Sequence, residues 1–140
     1  MFALPLDVLP YLCIFLLILL CFILAIAVTI ARGRLNILAG APEDPDSSFY
    51  QLVRAHGNQI EFVPLLALLM YMLAQSPQPV WVLWCMVLVT GCRYLLAVGM
   101  IVPKTLAQPN PLRFIGAVGT YVLGLALCWA LLAPYLSGLL

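Results

Sequence analysis

Long apolar runs alternate along this chain with short polar breaks. Four runs, over residues 8–31, 48–74, 80–102 and 112–136, are each long enough to cross a hydrocarbon core, which takes about 20 helical residues. The breaks are rich in turn formers: Ala-Pro-Glu-Asp-Pro-Asp at 41–46, Ser-Pro-Gln-Pro at 76–79 and Gln-Pro-Asn-Pro at 108–111. The pattern predicts an all-α membrane protein, a bundle of four transmembrane helices forming one domain over residues 1–140. Ser48 with Gln51 predicts a capping box at the start of the second helix. The opening Met-Phe-Ala-Leu-Pro-Leu-Asp has no basic residue and carries an acid, and the run after it exceeds the usual 7–15 residues of a cleaved leader. The first helix is therefore expected to be retained. No internal repeat or low-complexity tract is present.

The second run is not uniform. Residues 54–64 read Arg-Ala-His-Gly-Asn-Gln-Ile-Glu-Phe-Val-Pro, which sets Arg54, Asn58 and Glu61 at i, i+4 and i+7 on one helical face. Such groups are expensive to place in lipid, so the stripe should face protein or a polar ligand. Pro64 withholds the amide that would bond the carbonyl of Ile60, which predicts a kink just beyond Glu61. In the third run Arg93 stands ten residues before Pro103, about 15 Å in at 1.5 Å per residue. Glu61 lies 13 residues beyond Ser48, at similar depth, so Glu61 and Arg93 are expected to pair, within one chain or across a subunit boundary. That pair could equally be structural, fixing helix register.

Composition agrees with the pattern. Six basic and five acidic residues stand among 140, 66% of the chain is apolar, and mean hydropathy is +1.16. A soluble domain carries about a quarter charged residues. The net charge of +1 leaves no basic patch for a nucleic acid. Arg32, Arg34, Lys104 and Arg113 cluster at the 1–2 and 3–4 connections, while the 2–3 connection carries no charge. The positive-inside rule then predicts cytoplasmic 1–2 and 3–4 loops, with both termini outside. Arg54 and Arg113, with Arg32 or Arg34, would form a cationic cup at that face; the alternative is arginines snorkelling to headgroups. Cys13, Cys21, Cys85, Cys92 and Cys128 all fall within predicted helices without a Cys-x-x-Cys, and His56 is alone, so no metal site is expected.

These residues resemble the MAPEG family, the membrane-associated proteins in eicosanoid and glutathione metabolism. The resemblance rests on Arg-Ala-His-x-Asn-x-x-Glu at 54–61, the proline after it, Arg32-Gly-Arg34 closing the first helix and Pro42-Glu43-Asp44 in the first loop. It also rests on Gly91-x-Arg93 and on Gln108-Pro109-Asn110 with Arg113. It covers nearly the whole chain and is nearest the branch holding microsomal glutathione transferase and microsomal prostaglandin E synthase. It implies a homotrimer with sites at subunit interfaces, where glutathione is co-substrate and a lipophilic partner arrives from the bilayer.

By position, the resemblance implies that Arg32, Arg54, Asn58 and Glu61 hold the carboxylates and amine of the tripeptide, with Arg93 counted in the same binding set. Arg113 would hold the thiol as thiolate, a role physics supports because a nearby guanidinium lowers a thiol's pKa. Asp44 matches an acid assigned a role beside that arginine; its own chemistry suits an orienting partner or a loop cap. Tyr121 is a candidate aromatic contact, or else a core or interface tyrosine. Leu96 and Met100 replace a histidine and a tyrosine of the prostaglandin synthase, Gly57 a second arginine, and Phe114 a serine, which turns the expectation away from prostaglandin synthesis. The implied activity is a detoxifying glutathione transferase, with peroxidase activity as an extension. The alternatives are a non-catalytic lipid-binding scaffold of the same family, or use of a different thiol. A channel is disfavoured, since no repeat symmetry or polar path crosses the second half of helix 2.

Overall fold

A computed structural model describes residues 6–137, with side chains through Leu136. The opening Met-Phe-Ala-Leu-Pro that bore on the question of a leader lies outside the described residues. Four helices follow in order: α1, Leu9–Leu35; α2, Ser48–Leu73; α3, Val80–Ile101; and α4, Pro111–Ser137. α1 runs four residues past its expected end, because Arg32-Gly-Arg34 continues the helix and Asn36 stops it in a left-handed conformation at φ 54°. The two arginines of that last turn face the negative end of the helix dipole.

The start of α2 corrects the expected capping box. Ser47 is the cap, with extended backbone and its hydroxyl accepting from the Tyr50 amide at 3.4 Å. Gln51 instead sends its side-chain amide to the Pro45 carbonyl, 3.1 Å away. α2 continues without a break through Pro64. At α4, Asn110 Oδ1 accepts from the amides of Leu112 (2.9 Å) and Arg113 (3.2 Å), and Pro111 occupies the first turn, where its missing N–H costs nothing.

By length and composition α1, α3 and α4 are apolar enough to cross a membrane. α2 falls short by the same measure, because its first half carries Arg54, His56, Asn58, Gln59 and Glu61. α1 packs on α2 and α3, while α4 packs on α3 and α2. Leu17, Met70, Val82, Met86, Val89 and Leu127 are fully buried between them. The outer faces of α1 and α4 expose Phe15, Phe22, Ile26, Phe114, Val122, Leu125 and Trp129, as expected of helices solvated by lipid.

Glycines set the α3–α4 spacing. A Cβ on Gly99 would stand 2.5 Å from the backbone nitrogen of Arg113, and one on Gly116 would stand 2.7 Å from that of Leu96. A Cβ on Gly119 would collide with Cys92 Sγ. This close approach seats the first turn of α4, and with it Arg113, against the end of α3.

Candidate functional site

The densest polar contact inside the bundle joins α2 to α3. Arg93, 0% exposed, donates from Nε to Gln59 Oε1 at 3.0 Å. Its Nη2 donates to both the backbone oxygen (2.8 Å) and Oδ1 (2.7 Å) of Asn58. Gln59 Nε2 returns a bond to the Arg93 carbonyl at 3.2 Å. The guanidinium also lies 4.8 Å from the centre of the Phe62 ring. Desolvating this cation costs several kcal/mol. Three charge-assisted bonds at about 1.5–3 kcal/mol each, with about 2 kcal/mol from the ring face, offset that cost. Nη1 is buried and finds no hydrogen-bond partner among the described residues.

This clasp corrects the expected ion pair within the chain. Arg93 takes neutral amides, and among the described residues Glu61 forms no ion pair. The reason is helical phase. At 3.6 residues per turn, Glu61 and Gln59 lie about 160° apart around α2, so a guanidinium bonded to Gln59 stands beyond ion-pair reach of Glu61 and acts on it only through space.

Glu61 lies instead on the outer face of α2. Arg54 and Glu61 are both exposed, and neither makes a hydrogen bond or ion pair with any described residue. Asn58 lies between them, half-buried, with its oxygens turned inward to Arg93. The outer stripe therefore offers a guanidinium, an amide N–H pair and a carboxylate in succession, at neighbouring helical positions about 5–6 Å apart at Cβ.

The end of the bundle bearing the α1–α2 and α3–α4 loops holds the other arginines. Leu106 N–H donates to the Pro45 carbonyl at 2.9 Å, tying the two loops together. Arg113 donates from Nη1 to Leu106 O (3.0 Å) and from Nη2 to Gln108 O (3.1 Å), which leaves donors over from its five. It also lines a cleft of about 700 Å³ with Pro109, Asn110, Phe114 and Ala117. Arg32 reaches the Gly40 carbonyl at 2.8 Å and lies 5.5 Å over the Phe49 ring. Asp44 is exposed and accepts from the Asp46 amide at 3.0 Å. It caps its own loop and forms no ion pair with Arg113.

Below the clasp, an open and almost wholly apolar groove of about 690 Å³ runs between α2 and α4. Phe62, Leu65, Leu69, Tyr121, Leu125 and Cys128 are among its walls. The Tyr121 and Phe62 rings pack tilted, 5.8 Å apart, so Tyr121 joins the groove to the ring that covers Arg93.

Residues 10–133 match the MAPEG family. The chain belongs to that family. No curated protein matches it. In this MAPEG chain, sequence reasoning brought out Arg93 and Asn58 but missed Gln59, and read Gln51 as part of a capping box. Both are buried amides on the face that also carries Ala55, Val63, Leu66 and Met70. An amide interrupting an apolar face of a membrane helix was the available signal, since such a group bonds across helices.

Proposed function

We propose that the chain is a membrane-bound glutathione transferase that conjugates the tripeptide thiolate to small lipophilic electrophiles, with hydroperoxide reduction as an extension of the same chemistry. The observation that carries this reading is the α2 stripe: Arg54 and Glu61 are exposed on either side of the half-buried Asn58, and neither charge makes a hydrogen bond or ion pair with a described residue. Leaving a charged side chain in lipid costs about 2.5–3.5 kcal/mol near a helix centre. A neighbouring copy and a zwitterionic ligand relieve that cost together. The reading therefore includes a homotrimer with interfacial sites, the two arginine-bearing loops on the cytoplasmic side and both termini opposite.

The donor set fits glutathione. Arg54 and the Asn58 amide offer N–H groups to a carboxylate, Glu61 accepts from an ammonium, and Arg32 adds a second cation at the loop end. Glutathione supplies the nucleophilic sulfur. Arg113, with N–H groups beyond those given to Leu106 and Gln108, holds that sulfur as thiolate and stabilises its charge in a dry site. Asp44 shapes the loop that carries Pro45, and through it the Leu106 peptide that Arg113 grips. The open, apolar α2–α4 groove suits the apolar body of the electrophile, with the Tyr121 hydroxyl among the few polar groups of its lining.

A second reading has a specific observation behind it. The groove is nearly devoid of polar lining, and Arg113 is already bonded to two loop carbonyls, as a non-catalytic lipid-binding scaffold would have them. Ultraviolet difference absorbance separates the two. A transferase develops a thiolate band when glutathione is added to purified protein, and Arg113→Ala abolishes it. Absence of a band from wild-type protein at saturating glutathione favours the scaffold or another thiol.

A further inference from the structure

The Arg93 clasp has a consequence for the ligand. Asn58 presents its backbone oxygen and Oδ1 to a single nitrogen, Arg93 Nη2, at 2.8 and 2.7 Å. The amide cannot be turned over, because its NH2 would then oppose a guanidinium that has only donors. Gln59 locks the same guanidinium from the next position, taking Nε on Oε1 and returning Nε2 to the Arg93 carbonyl. The cation is thus held in place by both neighbouring amides of α2. Asn58 Nδ2 makes no hydrogen bond with any described residue. It is also not buried, since among the described residues the one buried side-chain nitrogen or oxygen without a partner is Arg93 Nη1.

We infer that Arg93 is a positioning residue: by fixing the Asn58 amide, it makes Asn58 an obligate donor that selects a carboxylate at the Arg54 side of the stripe. Free asparagine both donates and accepts, and would receive an ammonium as readily as a carboxylate. With both oxygens committed to Arg93, this one only donates. Hydrogen bonding to a cation also strengthens the donors of the same amide. The stripe then has polarity along α2, with donors at Arg54 and Asn58 and an acceptor at Glu61. An amino-acid zwitterion can lie on it in one direction only, carboxylate toward Arg54 and ammonium toward Glu61. The inference rests on the reading of glutathione as ligand and adds Arg93 as the group that fixes the direction in which the site reads it.

A double-mutant cycle on the full chain, purified in detergent, tests it. Glutathione affinity is measured by calorimetry for wild type, Arg93→Lys, Asn58→Ala and the pair. Lysine keeps the charge but cannot hold both Asn58 oxygens and Gln59 in one fork. The expected result is an affinity loss of about tenfold for each single variant and no further loss for the pair, because Arg93 acts only through Asn58. Losses that multiply would give Arg93 a merely structural part and overturn the inference. Asn58→Asp provides a second arm should Arg93→Lys fail to fold. It keeps an acceptor for Arg93 and removes the donors, so it should keep the wild-type melting temperature and lose glutathione binding by at least about tenfold. Retained affinity in Asn58→Asp would also overturn the inference. Glutathione failing to bind the wild type would instead remove the glutathione reading, and the inference with it.

Discussion

Two polar regions of α2 lie within one turn of each other and differ in every respect that matters. The inner one, Gln59 with the oxygens of Asn58, closes on Arg93 Nε and Nη2 within a single chain. The outer one, Arg54 and Glu61 with the Asn58 amide between them, is exposed and unanswered. The inner set behaves as structure: it desolvates a cation and covers the cost with aligned acceptors and a ring face. The outer set is not accounted for by the stability of one subunit, because no described group bonds its charges and Arg93 reaches Glu61 only through space. Asn58 belongs to both, with oxygens inward and N–H groups outward. The same helix therefore carries its fastening and its reading surface back to back.

The largest predicted effect is on the fastening. Gln59→Leu strips Arg93 of its Nε acceptor and should lower stability by about 3 kcal/mol, read from thermal or denaturant unfolding in detergent. Replacing Arg93 by Leu as well should recover much of that loss, since an apolar pair leaves no buried cation to satisfy. A smaller loss, about 1–3 kcal/mol, is expected of Gly99→Ala, whose added methyl meets the Arg113 backbone at 2.5 Å and must push α4 from α3. That variant should also weaken thiolate formation, because Arg113 moves with the helix. On the outer stripe the pattern inverts. Arg54→Ala and Glu61→Gln should not lower the stability of the protein, since each removes an unbonded charge, while each lowers glutathione affinity by about tenfold. The smallest effect belongs to Arg34→Gln and Lys104→Gln, exposed residues outside the stripe, which should change neither unfolding nor binding.

The outer stripe was legible in the sequence because it follows helical period alone: i, i+4 and i+7 share a face whatever packs nearby. The four helices were legible for a similar reason, as apolar length and proline-rich breaks are local properties. What escaped depends on neighbours. Charge matching suggested Glu61 for Arg93, yet a shift of two residues along α2 moves a side chain to nearly the opposite side, and the arginine found Gln59. The α2 cap fell on Ser47 rather than Ser48, since the extended backbone at Ser47 decides which hydroxyl faces the free amides. The end of α1 was set by Asn36 in its left-handed conformation and not by the onset of charge. The loop bridge from Pro45 to Leu106 joins residues 61 positions apart, beyond the reach of any local pattern.

The central claim is that the outer stripe exists for a ligand, while the inner clasp holds α2 to α3 and fixes the Asn58 amide that the stripe uses. The most direct test is thermal unfolding of purified wild type and of the Arg54→Ala, Glu61→Gln double variant, each with and without glutathione. A ligand that binds the folded state raises its melting temperature by mass action. The account predicts a variant that melts no lower than wild type without ligand, a rise with glutathione for wild type, and none for the variant. A variant that responds to glutathione as wild type does, or one that melts well below it without ligand, would contradict the account.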